Sequence, residues 1–236
     1  MEIDGSRILV AGATGVIGGA LAGACAARGA SVAVAGRDAE RLAERARTLG
    51  DCPARRFEAY DLDACAALAG WAQRELGGLD AVLTAVGVVA FGPAEEVPEA
   101  VAEHLCAVNA LAPMAVLRGA LPLLTGPGAV AAVTGVVVDR PQPGMAAYCA
   151  SKSALSAWLT AVRGEQRRRR VAVVDARLPH LDTGFAGRAV AGTPPPMPRP
   201  ADLDAAVRGI VDAVAEGAAL VLPDGSGGVT VEAGKH

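Results

Sequence analysis

Arg7-Ile8-Leu9-Val10-Ala11-Gly12-Ala13-Thr14-Gly15-Val16-Ile17-Gly18-Gly19 decides the fold. A short apolar run, a glycine turn and then an alanine-rich stretch from Ala20 to Arg28 read as strand, turn and helix. Glycines in such a turn let the backbone double back tightly and approach a pyrophosphate, while the helix start offers unpaired N–H groups and a positive dipole end. Gly12, Thr14, Gly15, Val16, Ile17 and Gly18 are therefore candidate cofactor contacts. Close packing of a helix on a strand also selects glycine, so the turn by itself is a weak signal.

Outward from this turn, apolar runs alternate with helical ones. Ser31 to Ala35 reads as a second strand, ending in Gly36-Arg37-Asp38 before a charged helix, Ala39 to Leu49. The adenosine ribose of a dinucleotide belongs at that strand end. Gly36 supplies no acidic side chain for a free 2′-hydroxyl, and Arg37 can offer a planar fork to a 2′-phosphate, so NADP is expected over NAD. The alternative is an ion pair of Arg37 with Glu40 or Asp38. Arg56 to Tyr60 is read as the third strand, followed by Asp61-Leu62-Asp63, with Asp63 capping a helix from Ala64 to Leu76 and Asp61 placed to accept from the adenine amine. Asp80 to Ala85 is the fourth strand, and Ala85, Val86 and Gly87 should pass over the cofactor's ribose.

A helical stretch from Pro98 to Leu124, broken in pattern by Pro113, carries Asn109. The fifth strand is Ala129 to Val133, the next helix Met145 to Arg169, and the sixth strand Val171 to Asp175. Residues 181–200 read as a substrate lid, with five prolines between Val190 and Pro200. A helix from Ala201 to Glu216, a seventh strand from Ala219 to Leu222 and a polar tail, 225–236, complete the chain. Short apolar strands between helices indicate a sheet buried on both faces. The expected fold is α/β: one domain, 1–236, built on a doubly wound parallel sheet of about seven strands.

Composition narrows the partners. At 236 residues, 52% hydrophobic and 20% charged, the chain can bury one large core. A net charge of -3 and a pI near 5.7 give no pull toward nucleic acid or an anionic membrane, and Arg167 to Arg170 lack interleaved aromatics. Five cysteines with no CxxC pair or zinc-site spacing suit reduced thiols in the cytoplasm, and no metal is expected. No leader is expected at Met1, nor any uninterrupted apolar span long enough to cross a bilayer.

Chemistry enters at Met145-Ala-Ala-Tyr148-Cys-Ala-Ser-Lys152. Tyr148 and Lys152 lie four apart on one helix face, and an ammonium one turn away favours the phenolate of a group that otherwise titrates near 10. Such a phenol can exchange a proton with a carbonyl or alcohol oxygen. Asn109, an amide on an apolar helix face, could organise a water toward Lys152, or instead stabilise a kink near Pro113. Substrate-pocket candidates are Val86, Val88, Phe91, Met145, His180 and Phe185; His180 also reads as a structural histidine satisfied by its neighbours.

With Gly12, Gly15 and Gly18 after the first strand, then Asn109, then Tyr148-Cys-Ala-Ser-Lys152, nearly the whole chain resembles the short-chain dehydrogenase/reductase family. Pro179 followed by Thr183 is similar to the family's segment over the nicotinamide carboxamide. The resemblance implies NAD(P)-dependent carbonyl–alcohol interconversion on a small-molecule ketone or alcohol. It also implies Tyr148 as acid/base, Lys152 as its tuner and a ligand of the nicotinamide ribose, Asn109 as relay, and assembly as a homodimer or homotetramer through two long helices. Three features depart from the pattern. The glycine spacing GxxGxxG is that of the family's extended and atypical branches, although length and the YxASK box are those of its standard branch. Thr84-Ala85-Val86-Gly87 replaces Asn-Asn-Ala-Gly. The family's catalytic serine position, thirteen residues before the tyrosine, is Gly135.

Thr134 is the nearest hydroxyl and the fourth catalytic candidate, but neighbouring strand side chains face opposite ways, so only a bulge would turn it to the substrate. The expected activity is an NADPH-dependent ketone reductase. The rivals are an NADP-binding sensor without turnover and a dehydratase or isomerase on the same fold.

Overall fold

The structure, a computed structural model, describes residues 1–124 and 126–233. In chain order the elements are β1 (Arg7–Ala11), α1 (Val16–Ala27), β2 (Ser31–Gly36), α2 (Ala39–Thr48), β3 (Ala54–Arg56), α3 (Leu62–Leu76), β4 (Ala81–Thr84), α4 (Glu99–Cys106), α5 (Ala112–Ala120), β5 (Ala129–Val133), α6 (Ala146–Gln166), β6 (Ala172–Ala176), α7 (Leu203–Glu216), β7 (Leu220–Pro223) and β8 (Val229–Glu232). They form one eight-stranded sheet in the order β3-β2-β1-β4-β5-β6-β7-β8. All neighbours are parallel except β7 and β8.

Both faces of the sheet are apolar, as the unbroken hydrophobic runs require. Ile8 and Val10 of β1 join Val34, Leu83 and Val174 under α1, α2 and α7. Leu9 and Ala11 join Ala33, Val82 and Val173 under α3, α5 and α6. Strand order reverses between β1 and β4, which leaves a crevice beyond their carboxyl ends, the usual ligand position in such sheets.

Four sequence expectations are revised. The chain leaves the sheet after Arg56, so Phe57 to Tyr60 is not strand; Tyr60 is 66% exposed. Asp61, not Asp63, caps α3: its carboxylate accepts from the Ala64 amide at 2.9 Å. The stretch read as a polar tail holds β8, which alternates half-buried Val229 and Val231 with exposed Thr230 and Glu232 against α7; residues 234–236 lie outside the described residues. Finally, Glu99–Ala120 is a helical stretch long and apolar enough by composition to cross a bilayer, with mean hydropathy 1.5 and half of that window buried in this fold.

That stretch is α4 and α5 joined by a π-helical turn, Ala107–Leu111. Pro113 has no N–H to give the carbonyl of Asn109 four residues back, and the widened turn passes the Ala112 amide to Ala107, five back. Asn109 sits in the widened turn, fully buried. At the end of β4 the Thr84 hydroxyl is 2% exposed and has no hydrogen-bond partner among the described residues, the cost of a threonine where the resembling family carries an amide.

Candidate active site

β1 delivers the glycine turn to the crevice. Gly12 has φ +89°, and a Cβ there would lie 2.8 Å from the Ala85 carbonyl carbon; one on Gly18 would lie 2.3 Å from the Gly12 oxygen. Close backbone approach therefore fixes two of the three glycines, Gly12 against the segment after β4 and Gly18 where α1 packs on the turn. Gly15 is the N-cap of α1 and no side chain caps this helix, whereas Asp38, Asp61 and Asp202 cap α2, α3 and α7. The first-turn amides of α1 thus keep their donors open toward the crevice, the chemistry a diphosphate needs. Gly36 leaves room for Thr14, whose Cγ2 is 2.5 Å from where a Gly36 Cβ would stand.

Arg37 is exposed and forms no ion pair among the described residues, so the expected alternative with Asp38 or Glu40 is not formed. Its carbonyl accepts from Arg56 Nε at 2.9 Å, which brings a second guanidinium beside it. Asp61 gives one carboxylate oxygen to its cap, and Leu62 begins α3 next to it.

The crevice opens into a cavity of about 630 Å³. Val16, Ile17, Ala85, Val86 and Gly87, all expected beside a cofactor, line it, as do Pro179 and Thr183. Tyr148 and Lys152 lie in its wall, with Phe91, Met145, His180 and Phe185. Val88 does not line it; Val89 does. The reason is Asn109, whose Oδ1 accepts from the Val88 amide at 2.8 Å and whose Nδ2 donates to the Val88 carbonyl at 2.9 Å. Held by both main-chain groups, Val88 turns its side chain toward the cluster of Val89, Phe91 and Leu105.

Asn109 Nδ2 also donates to Ser151 Oγ at 2.9 Å. The carboxamide thus ties the segment after β4 to α6. Its Oδ1 and Lys152 Nζ lie 3.3 and 3.1 Å from where a Gly87 Cβ would be, so the two groups flank Gly87.

Tyr148 is 8% exposed and its ring tilts against Phe185, centroids 6.4 Å apart. Burial pushes its hydroxyl above the ordinary tyrosine range. Lys152 Nζ donates to the Val133 carbonyl at 3.0 Å. Burial also pushes Lys152 down to about 8, partly opposed by the Asp175 carboxylate.

Thr134 is not the missing serine. The β5 ladder continues through its amide to the Ala176 carbonyl without a bulge, and although the residue forms part of the cavity wall its hydroxyl is committed to Asp175 Oδ1. Asp175 is fully buried, and its other oxygen accepts from Ser156 Oγ and Arg177 Nε. Arg177 reaches on to Asp139, tying down the loop after β5. The sequence signal for this network was an aspartate inside an apolar strand. Thr134→Val should leave the turnover number unchanged within about twofold and lower stability by roughly 1.5–3 kcal/mol, the range for a hydrogen bond to a charged group; chemical denaturation alongside steady-state rates checks both.

The lid runs irregularly over the cavity mouth and is stapled. The Val190 amide donates to Val89, the Phe91 amide to Ala191, and the Ala201 amide to His180.

A doubly wound sheet whose first helix start shares a cavity with a buried tyrosine and lysine defines a class, the oxidoreductases built on the Rossmann fold. The family model described as short chain dehydrogenase matches residues 6–193, and the chain belongs to that family. Nodulation protein G of Rhizobium sp. is 31% identical over 180 residues, covering 73% of this chain and 71% of that protein. A short chain dehydrogenase of Pseudocercospora fijiensis is 30% identical over 163 residues, 66% of this chain, which spans only 53% of that relative's length. Among solved structures, a short chain dehydrogenase from Burkholderia cenocepacia in complex with NADP shares the fold: TM-score 0.80, 22% identity, 91% of this chain and 92% of that one covered.

Proposed function

We propose that the protein is an NADPH-dependent oxidoreductase that reduces an apolar small-molecule ketone to a secondary alcohol, with Tyr148 as the proton donor. The observation that carries this reading is the placement of Tyr148 and Lys152 in one cavity with the cofactor end of the crevice. When bound, the nicotinamide cofactor supplies the hydride. The chain supplies the rest. The uncapped turn before α1 receives the diphosphate, Arg37 the 2′-phosphate, and the segment Ala85 to Gly87 the ribose face. Pro179 and Thr183 hold the carboxamide end. Tyr148, a neutral phenol at neutral pH, donates its proton to the carbonyl oxygen as the carbon takes the hydride. Lys152 holds its ammonium beside Gly87 to orient the ribose.

The test is absorbance loss of NADPH against a panel of ketones; no turnover on any of them ends this reading. A second reading, NADP binding without turnover, draws on Gly135 and on the engagement of Thr134 with Asp175, and predicts tight NADPH binding with an inert panel.

Arg37→Ala should raise the KM for NADPH about tenfold, the low end for losing a charge-assisted contact, and leave the KM for NADH unchanged. Equal effects on both cofactors would remove the 2′-phosphate assignment. A cytoplasmic setting and a homodimer or homotetramer through the faces of α4, α5 and α6 complete the proposal. Leu111, 48% exposed, is the apolar side chain on that face.

A further inference from the structure

We infer that His180 donates to the substrate's carbonyl oxygen the hydrogen bond that Gly135 cannot. The inference rests on the ketone-reductase reading and adds a residue to it. Gly135, two residues past the end of β5, has no side chain to offer the cavity it shares with Tyr148, and the nearest atoms to where its Cβ would stand include the Leu178 carbonyl oxygen at 3.8 Å. The Val136 amide bonds that same oxygen at 3.0 Å, so the vacated position lies directly against the segment Leu178-Pro179-His180. His180, two residues along, lines the same cavity as Gly135 and Tyr148.

Its backbone is clamped, because the carbonyl accepts from the Ala201 amide at 2.9 Å and Leu181 forms a β-bridge with Ala201. Its imidazole is half-buried and makes no hydrogen bond or ion pair among the described residues, contrary to a structural histidine satisfied by neighbours. Apart from Tyr148, the proton donor, and Thr183, the other side-chain donors in the wall are engaged. Thr134 donates to Asp175, Lys152 to Val133, Gln142 to Arg140, and Arg188 to Thr183. Thr183 keeps a free hydroxyl, which the proposed function assigns to the nicotinamide carboxamide.

A neutral imidazole carries one N–H. As negative charge grows on the carbonyl oxygen, that N–H donates without being transferred. The carbon gains the hydride, the oxygen gains the phenol's proton, and the imidazole keeps its own. This is oxyanion stabilisation by a fixed dipole, the part a serine hydroxyl would otherwise play.

The test compares His180→Ala, His180→Gln and His180→Phe with the wild type on a ketone that the wild type reduces. The turnover number should fall about 100-fold in the alanine and phenylalanine variants, as when one oxyanion donor is lost, and recover partly with glutamine, which keeps an N–H. NADPH affinity, read by fluorescence titration, should not move. In wild-type protein labelled with 15N-histidine, adding the ketone to the NADP⁺-loaded form should shift the His180 ring signal.

Turnover of His180→Ala within about threefold of wild type would overturn the inference, the threefold bound standing well below the loss expected for one such donor. So would loss of NADPH affinity in step with rate, which would place the ring on the nicotinamide, or a rise in KM at constant turnover number, which would make it a binding contact only. A Tyr148→Phe protein that still turns over, or a wild type inert to every ketone, removes the reductase reading itself.

Discussion

Tyr148→Phe is expected to lower the turnover number by about 100- to 10,000-fold, the range for removing a positioned general acid, while NADPH still binds. The substitution deletes one oxygen and keeps the ring that packs on Phe185, so the fold and the cofactor end of the cavity are untouched. Stopped-turnover assays on the variant, paired with NADPH titration, separate the two effects. Residual turnover near the wild-type level would mean that the proton reaches the carbonyl by another route. A fall in NADPH affinity of the same size would mean that the phenol serves the cofactor rather than the substrate.

Lys152→Met is expected to stop turnover to a similar degree and, in the nucleotide-free protein, to raise stability at neutral pH. Lys152 is 3% exposed, and burial pushes it from its ordinary 10.5 to about 8. Between those two values the folded protein binds fewer protons than the unfolded chain, so stability rises with pH across that window. Below it the penalty for burying the ammonium is fully present. The shift corresponds to on the order of 3 kcal/mol. Methionine removes this cost and leaves only the Val133 carbonyl without its donor, worth about 1 kcal/mol. Denaturation midpoints should favour the variant most near pH 7 and converge toward pH 10.5, where the lysine has also lost its proton in the unfolded chain. A variant less stable at pH 7 would contradict this balance. The lysine is thus a place where function is retained against stability.

Much of this architecture was legible in the sequence, because period and punctuation agree along most of the chain. β5 runs over Ala129–Val133, as read, since apolar residues fill it and Thr134-Gly135 ends it. The strand after Gly50 was misplaced because Phe57 to Tyr60 is apolar enough for a strand, yet the Asp61 cap forces the chain out of the sheet first. β8 was missed because glycines surround it, and only its alternation of valines against α7 makes it a strand. At the site, Tyr148 and Lys152 in the cavity wall were found by type and spacing and Pro179 and Thr183 by resemblance, whereas Val89, Val137 and Leu178 are ordinary apolar residues with no local signal. What spacing could not show was which way a side chain turns. Thr134 faces the buried Asp175, and Asn109 grips Val88 and Ser151. Both outcomes depend on partners far away in the chain, Asp175 and Ser151, that no local pattern names.

Gly135 has a consequence of its own. The space for a side chain is open, but the backbone there has φ +137°, a region L-residues rarely adopt. A single codon change to serine would not restore the hydroxyl, because the loop through Val136–Val138 would first have to be rebuilt. At this position the backbone conformation, not lack of room, is what excludes a side chain, so a hydroxyl can be offered to the cleft only from another element.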